Sequence, residues 1–357
     1  MPKSEPQFII PFAKPSGITS FTSLWQVKHT LGTKKVGHTG TLDSFADGLL
    51  VLLSGKLTKL VPYITDFDKT YRVLFYFGKE TDTLDPEGTV IAEKPLPVYA
   101  DFISAIRQLT GTIEQVPPVY SAVKQAGERL SDKIRRGEAV SVPPRTVTIY
   151  SIDIEEIFYA PEPDTNRENP EMSAVRKVLG AVLCVRCSKG TYIRSLVRDI
   201  AHRCGSAAYV YALRRTAVGP FTLEQAAGFS ALPPFGNAAA YAVNADSTDT
   251  PSDCADSAAV PHSVPDEAIK QAALPLSEAI ARAMHFQTAV LKEQYYAAFM
   301  NGKPISGHWF TSAQPLSDDG TAAVFYEGRC TGLMTKNGNR FHYQIVFNRG
   351  RVNASDA

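Results

Sequence analysis

The run Leu49-Leu50-Val51-Leu52-Leu53 follows directly on a glycine-spaced polar loop that extends from Gly37 through His38, Gly40, Asp43 and Asp47 to Gly48. An uninterrupted apolar run of that length, bounded by turn residues, reads as a buried strand. A polar loop feeding a buried strand is a place where many folds hold reactive side chains, and Asp43 is the candidate nucleophile of this one. An aspartate between glycines serves as readily as a turn residue or a helix cap, so other segments have to decide.

The rest of the chain predicts a mixed α+β fold with a largely antiparallel sheet. Thr19 or Ser20 caps a helix in which Phe21, Leu24, Val27 and Leu31 recur at helical spacing before Gly32 stops it. Strands are expected at 49–53, 71–77, 145–158, 178–188 and 209–218, with helices at 56–66, 99–109, 121–136 and 192–203. Residues 161–172 read as a long polar hairpin loop. From Ser230 to Ile269 there is no Lys or Arg, while Asp246, Asp249, Asp253, Asp256, Asp266 and Glu267 are all acidic. That stretch has few large apolar groups, and 230–273 is expected to be an acidic flexible linker. Beyond it, Leu291, Tyr295 and Phe299 mark a short helix, and strands at 322–326 and 342–347 with an Asn337-Gly338 turn indicate a small β-rich module.

With 357 residues, the chain is expected to form a larger and a smaller unit, 1–229 and 274–357 about that linker. No segment has the length of a membrane span, and Met1 to Pro6 lacks the apolar stretch of a signal peptide, so a cytoplasmic, soluble protein is expected. Five cysteines, an odd number, do not suggest a disulfide framework. Cys184 and Cys187 have C-x-x-C spacing but fall on a predicted strand, where residues three apart face opposite sides, so no metal site is expected.

The net charge of +1 conceals an uneven distribution. Outside the acidic stretch, Lys28, Lys34 and Lys35 precede the glycine-rich loop. Arg186, Lys189, Arg194, Arg198, Arg203, Arg214 and Arg215 cluster later with only Asp199 against them, a pattern that fits a phosphate-tracking surface. Two segments add aromatic rings to the cations. In Asp68-Lys69-Thr70-Tyr71-Arg72-Val73 the aromatic opens a strand. In Lys189-Gly190-Thr191-Tyr192-Ile193-Arg194 a strand feeds a helix, and Tyr192 and Arg194 share a face if the junction is still extended.

Taken in order, KPSGITSF, GHTGTLDSFADGLL, DKTYRV, TDTLDPEG, PPVYSAVKQAGERL, PPRTVTIY, CSKGTYIRSLVRDIA and LRRTAVGPF resemble the TruB family of pseudouridine synthases over residues 8–229. The resemblance implies the pseudouridine synthase fold, a mixed sheet flanked by helices, with residues from about 274 forming a PUA-like RNA-binding domain. It implies isomerisation of uridine to pseudouridine at position 55 in the T-loop of transfer RNA, without metal, nucleotide or redox cofactor. It makes Asp43 the nucleophile, Arg194 its cationic partner, and Tyr71 the ring that stacks on the flipped base and assists removal of the C5 proton. His38 fills the gap left in the RNA stack, Tyr192 and Leu213 line the pocket, and Lys14 belongs to a structural KP segment. The expected partner is the T-arm of transfer RNA, with no membrane and no obligate protein partner, and a monomer is expected because no long apolar stripe is left over.

Ser44, Phe45 and Asp47 depart from the family's usual Pro, Leu and small residue, and Ser131 stands where Tyr is common. Asp47 brings a second carboxylate close to Asp43 in sequence, where an unshielded charge raises a neighbour's pKa or repels phosphate. Two other readings remain open: an RNA-binding or RNA-folding protein without catalysis, and a synthase aimed at a guide-directed or ribosomal RNA target.

Overall fold

The computed structural model describes residues 5–118, 124–125, 128–129, 142–161, 175–235, 264–311, 316–318 and 320–347. β1 (Ile9–Lys14) leads to α1 (Ser20–Leu31), capped by the Thr19 side chain on Thr22 N and ended by Gly32 at φ +61°. β2 (Val36–His38) and β3 (Asp47–Ser54) flank the polar loop. The expected helix at 56–66 is a 3-10 turn, Gly55–Leu60, running into the one-turn α2 (Val61–Thr65), where Pro62 sits in the first turn.

β4 (Lys69–Phe77), β5 (Lys79–Thr81), β6 (Val90–Glu93), α3 (Tyr99–Leu109) and β7 (Gly111–Gln115) follow. β8 (Lys124–Gln125) and β9 (Glu128–Arg129) then pair antiparallel where a helix at 121–136 was expected. Gly127, a poor helix former, lies between them; the remainder of that expected helix, Ser131 and the loop at 162–172 lie outside the described residues. β10 (Arg145–Tyr159), β11 (Val178–Cys187), α4 (Ile193–Arg203), β12 (Ala208–Val218) and β13 (Phe221–Thr222) complete the first body of structure.

Its sheet runs β1-β3-β12-β4-β11-β10-β7, with β13 against β12 and β2 against β3. Only the short β3–β12 contact is parallel. The sheet is therefore mixed and largely antiparallel, as expected. α3 and α4 cover one face, where Phe102, Ile106, Leu196 and Ile200 pack on Val73, Phe75, Leu183, Val185 and Val210.

The apolar run Leu49 to Leu53 is buried on both sides, because alternate residues of a strand face opposite ways. Leu50 and Leu52 pack with Leu24 and Val27 of α1. Leu49, Val51 and Leu53 pack with Phe325, Leu333 and Ile345 of a second sheet. That sheet contains β14 (Gln287–Leu291), β15 (Phe310–Thr311), β16 (Thr321–Tyr326), β17 (Arg329–Asn337) and β18 (Arg340–Val346), in the order β15-β14-β16-β17-β18. Leu291 ends β14, so the helix expected from Leu291 is confined to Tyr296–Met300 behind a 3-10 turn.

The expected acidic linker is not featureless at its far end. The helix α5 (Asp266–Gln271) packs on α1, with Val264 and Ile269 buried against Leu24 and Val27. Two well-spaced apolar residues are enough to dock one turn and a half of helix on an existing apolar surface. Residues 236–263 lie outside the described part.

Candidate active site

Arg194 sits in the first turn of α4 and is almost wholly buried, 5% exposed. Its Nε and Nη2 donate to Asp43 Oδ2 and Oδ1 at 2.9 and 3.0 Å, a fork-on-fork pair. Its Nη1 donates to Asp85 Oδ2 at 2.9 Å and to Thr83 O at 2.7 Å. One guanidinium therefore joins the loop of Asp43 to the turn after β5. Asp43 keeps 37% of its side chain exposed while Asp85 is buried, so Asp43 is the carboxylate that a ligand can reach.

Asp85 was not singled out in the sequence, although it lies in the quoted TDTLDPEG segment. Burial pushes its carboxyl above the ordinary value, and a hydrogen bond from the Thr83 hydroxyl and the Arg194 charge oppose that rise. No periodicity or spacing marks it, because its role depends on a residue 109 positions away.

A cavity of about 540 Å³ opens beside Asp43. It is lined by Asp43, Tyr71, Tyr192, Arg194 and Leu213, five of the seven residues inferred from the sequence, together with Arg215. Tyr192 is extended at the start of α4, with φ −106° and ψ 111°, which lets it share the cavity with Arg194. Gln115, nearly inaccessible, fixes that conformation: its amide oxygen accepts from Tyr192 N at 2.8 Å and its nitrogen donates to Tyr192 O at 3.1 Å. Burial pushes the Tyr71 phenol up, opposed by the charge of Arg215.

Lys14 and His38 are not on the cavity wall. Lys14 is fully buried and donates from Nζ to Pro15 O, Ile18 O and Ser44 O, so it ties the loop of Asp43 to β1. His38, on β2, is held below its usual pKa by burial and by the Arg215 charge. Arg215 itself donates to Gly40 O and Leu49 O, at the two ends of the same loop. Gly48 packs so close to Arg215 that an added Cβ would meet its carbonyl oxygen at 2.4 Å, so this side of the loop admits no side chain.

The unusual loop residues have partners. Asp47 is nearly buried and accepts from Arg214 Nε and Nη2 at 2.7 and 2.6 Å, so its charge is neutralised away from Asp43. Ser44 Oγ donates to the Glu87 carboxylate. The expected phosphate-tracking cluster is thereby largely paired with acids of the protein itself: the buried Arg194 and Arg214 hold Asp43, Asp85 and Asp47. Lys189, Arg186 and Arg198 pair with Asp66, Asp68 and Asp199. Apart from Asp199, already counted beside Arg198, these acids come from distant segments, which is why counting charges along the sequence overstated the free cations.

Burial brings Lys14 and Lys69 each down to about 8 from 10.5. Between those limits the folded state binds fewer protons than the unfolded one, so this stability is present above 10.5 and lost as pH falls through 8. Cys187, Cys204 and Cys330, raised to about 12 from 9.0, act oppositely above pH 9. The denaturation midpoint is therefore expected to rise from pH 8 to 9, and to rise less in Lys69→Met; a flat profile in both proteins would contradict this.

Cys184 and Cys187 lie on β11 facing opposite sides, Cys187 in the core. Among the described residues no group of His, Cys, Asp and Glu could hold a metal, and no helix is long and apolar enough to cross a membrane.

Residues 28–193 match the model of the TruB family pseudouridylate synthase N-terminal domain. The chain is 42% identical to tRNA pseudouridine synthase B of Treponema pallidum (strain Nichols), covering 96% of this chain and 98% of that relative. It is also 42% identical to the enzyme of the same name from Treponema denticola, covering 95% and 97%. Among solved structures it is similar in fold to a chain of a Cbf5-Nop10-Gar1 complex, with TM-score 0.58, 21% identity and coverage of 96% and 85%. A chain of an H/ACA RNP bound to a substrate RNA containing 2'-deoxyuridine gives TM-score 0.60 at 19% identity, covering 97% and 86%. The C-terminal five-stranded sheet is consistent with a PUA-like module. With 42% identity to its relatives over nearly their full length and a family match that takes in both the loop of Asp43 and the cavity wall at Tyr192, the chain belongs to the TruB family of pseudouridine synthases.

Proposed function

We propose that this enzyme converts uridine to pseudouridine at position 55 in the T-loop of transfer RNA, with Asp43 as the nucleophile on a flipped-out base. The observation that carries the reading is the exposed Asp43 carboxylate gripped by the buried fork of Arg194 at the edge of the cavity. The transfer-RNA substrate is supported by the names of the relatives that match almost end to end.

The reaction breaks the N1–C1′ bond, turns the uracil, joins C5 to C1′ and moves the C5 proton to N1. It is an isomerisation, and a carboxylate that attacks either C6 or C1′ starts it without a cofactor. Arg194 favours the ionised carboxylate and aims it. Flipping the base costs a few kcal/mol, and stacking on an aromatic ring such as Tyr71 returns about 1–3 kcal/mol. Tyr192 and Leu213 give that base apolar walls, and Tyr71 is the group placed to assist the C5 proton. Lys14 and Arg215 act on the loop, holding carbonyls either side of Asp43. His38 is assigned the gap left in the RNA.

The test is to incubate the enzyme with unmodified transfer RNA and map the product. Pseudouridine is expected at T-loop position 55; modification only at other positions would overturn the assignment.

A further inference from the structure

α1 carries two large aromatic side chains that stay outside the cores of the protein. Phe21 and Trp25 are each 71% exposed. They lie four residues apart, and Lys28 and His29 follow on the same side of the helix at 100° per residue. Lys28 Nζ sits 5.7 Å over the Phe21 ring, and the His29 ring stacks on Trp25 at 5.8 Å and 19°. The helix contains no acidic residue, and the exposed Lys34 and Lys35 follow its end. The acids that do approach, Glu5 and Asp266, are engaged with Thr33 and Thr30. Thr30 is about 180° around the helix from Phe21.

This surface is tied to the active site. Ser20, immediately before Phe21, donates from Oγ to Leu42 O at 3.0 Å and accepts from Leu42 N at 2.8 Å. Leu42 precedes Asp43. The aromatic pair thus starts one residue from the anchor of the nucleophile loop and extends over about one helical turn, roughly 6 Å. Isolated exposed rings are common on proteins, but two rings with interleaved cations and, among the described residues, no carboxylate paired with them are complementary to a polyanion that offers flat faces.

We infer that Phe21 and Trp25 form a second stacking platform, which holds an unpaired base of the same RNA whose uridine enters the cavity, with Lys28 and the lysines beyond α1 on its phosphates. The inference rests on the transfer-RNA reading above. It assigns binding, not chemistry, to α1. A protein partner on the same rings is the competing occupant, and the lysines, which make no ion pair among the described residues, favour RNA.

The chain has two tryptophans, and the other, Trp309, is buried against Tyr295. In Trp309→Phe, Trp25 is the sole indole reporter. Adding unmodified transfer RNA is expected to quench its emission and protect it from acrylamide, in a preparation shown to form pseudouridine. Trp25→Ala is expected to weaken RNA binding about 10-fold, with the single-turnover rate at saturating enzyme unchanged and Trp25→Phe recovering most of the affinity. Unchanged emission in a preparation that modifies the RNA, or equal affinity in Trp25→Ala, would overturn the platform while leaving the substrate reading intact. Failure to modify transfer RNA at all would remove the reading on which it rests.

Discussion

Asp43→Asn is expected to slow single-turnover pseudouridine formation by on the order of 10⁴-fold or more and to leave RNA affinity within about threefold. The substitution keeps an oxygen for Arg194 Nη2 but turns an amide against Nε, where a carboxylate oxygen now accepts at 2.9 Å. Arg194 retains Asp85 and Thr83 O, so the guanidinium is still held and the cavity keeps its shape. An amide nitrogen or oxygen is a poor nucleophile at carbon, so the chemistry is lost while the walls that hold the base stay. A variant turning over at a comparable rate would show that Asp43 is not the attacking group.

Arg194→Ala is expected to damage stability and rate together. The side chain bridges two carboxylates and a carbonyl from segments more than 100 residues away. Without it, Asp85 is left buried with no cation, a loss of about 3–5 kcal/mol for a broken buried pair. Asp85 answers by taking up a proton more readily, since burial already pushes its carboxyl up. A carboxyl with a raised folded pKa gives stability that is present below its unfolded value of 3.8 and lost as pH rises through the folded one. The variant should therefore lose stability, relative to the parent, as the pH rises from the acid range toward neutral. Its rate is expected to fall by about 10³-fold even where it is folded. Arg194→Lys should restore little, because an ammonium cannot present a fork to Asp43 while reaching Asp85. A variant of parental stability at neutral pH would contradict the bridge.

Much of this site was legible along the chain because its parts are local. The GHTGTLDSFADGLL segment identified the loop, and the strand-to-helix junction at Gly190 identified Tyr192 and Arg194 as neighbours on one face. Alternation and β-branched runs placed β4, β10, β11 and β12 to within a residue or two at most ends. What stayed hidden depends on pairing across distance. Asp85 and Gln115 act only through residues that the fold brings to them, and Asp47 reads as a threat to Asp43 until Arg214 is seen to neutralise it. The apparent basic cluster fails for the same reason, since its counter-charges are Asp43, Asp47, Asp66, Asp68 and Asp85. The helix at α5 was hidden by composition: two buried residues, Val264 and Ile269, dock a segment whose average is polar.

The placement of β3 between two cores sets how the loop of Asp43 can fluctuate. A strand with one solvent-facing side can peel away and return while the rest of a protein stays folded. β3 has no such route, because freeing it uncovers Leu50 and Leu52 from α1 and Leu49, Val51 and Leu53 from the second sheet at once. Opening β3, the strand into which the loop of Asp43 runs, therefore disturbs both cores together, so the second sheet helps to hold one end of that loop.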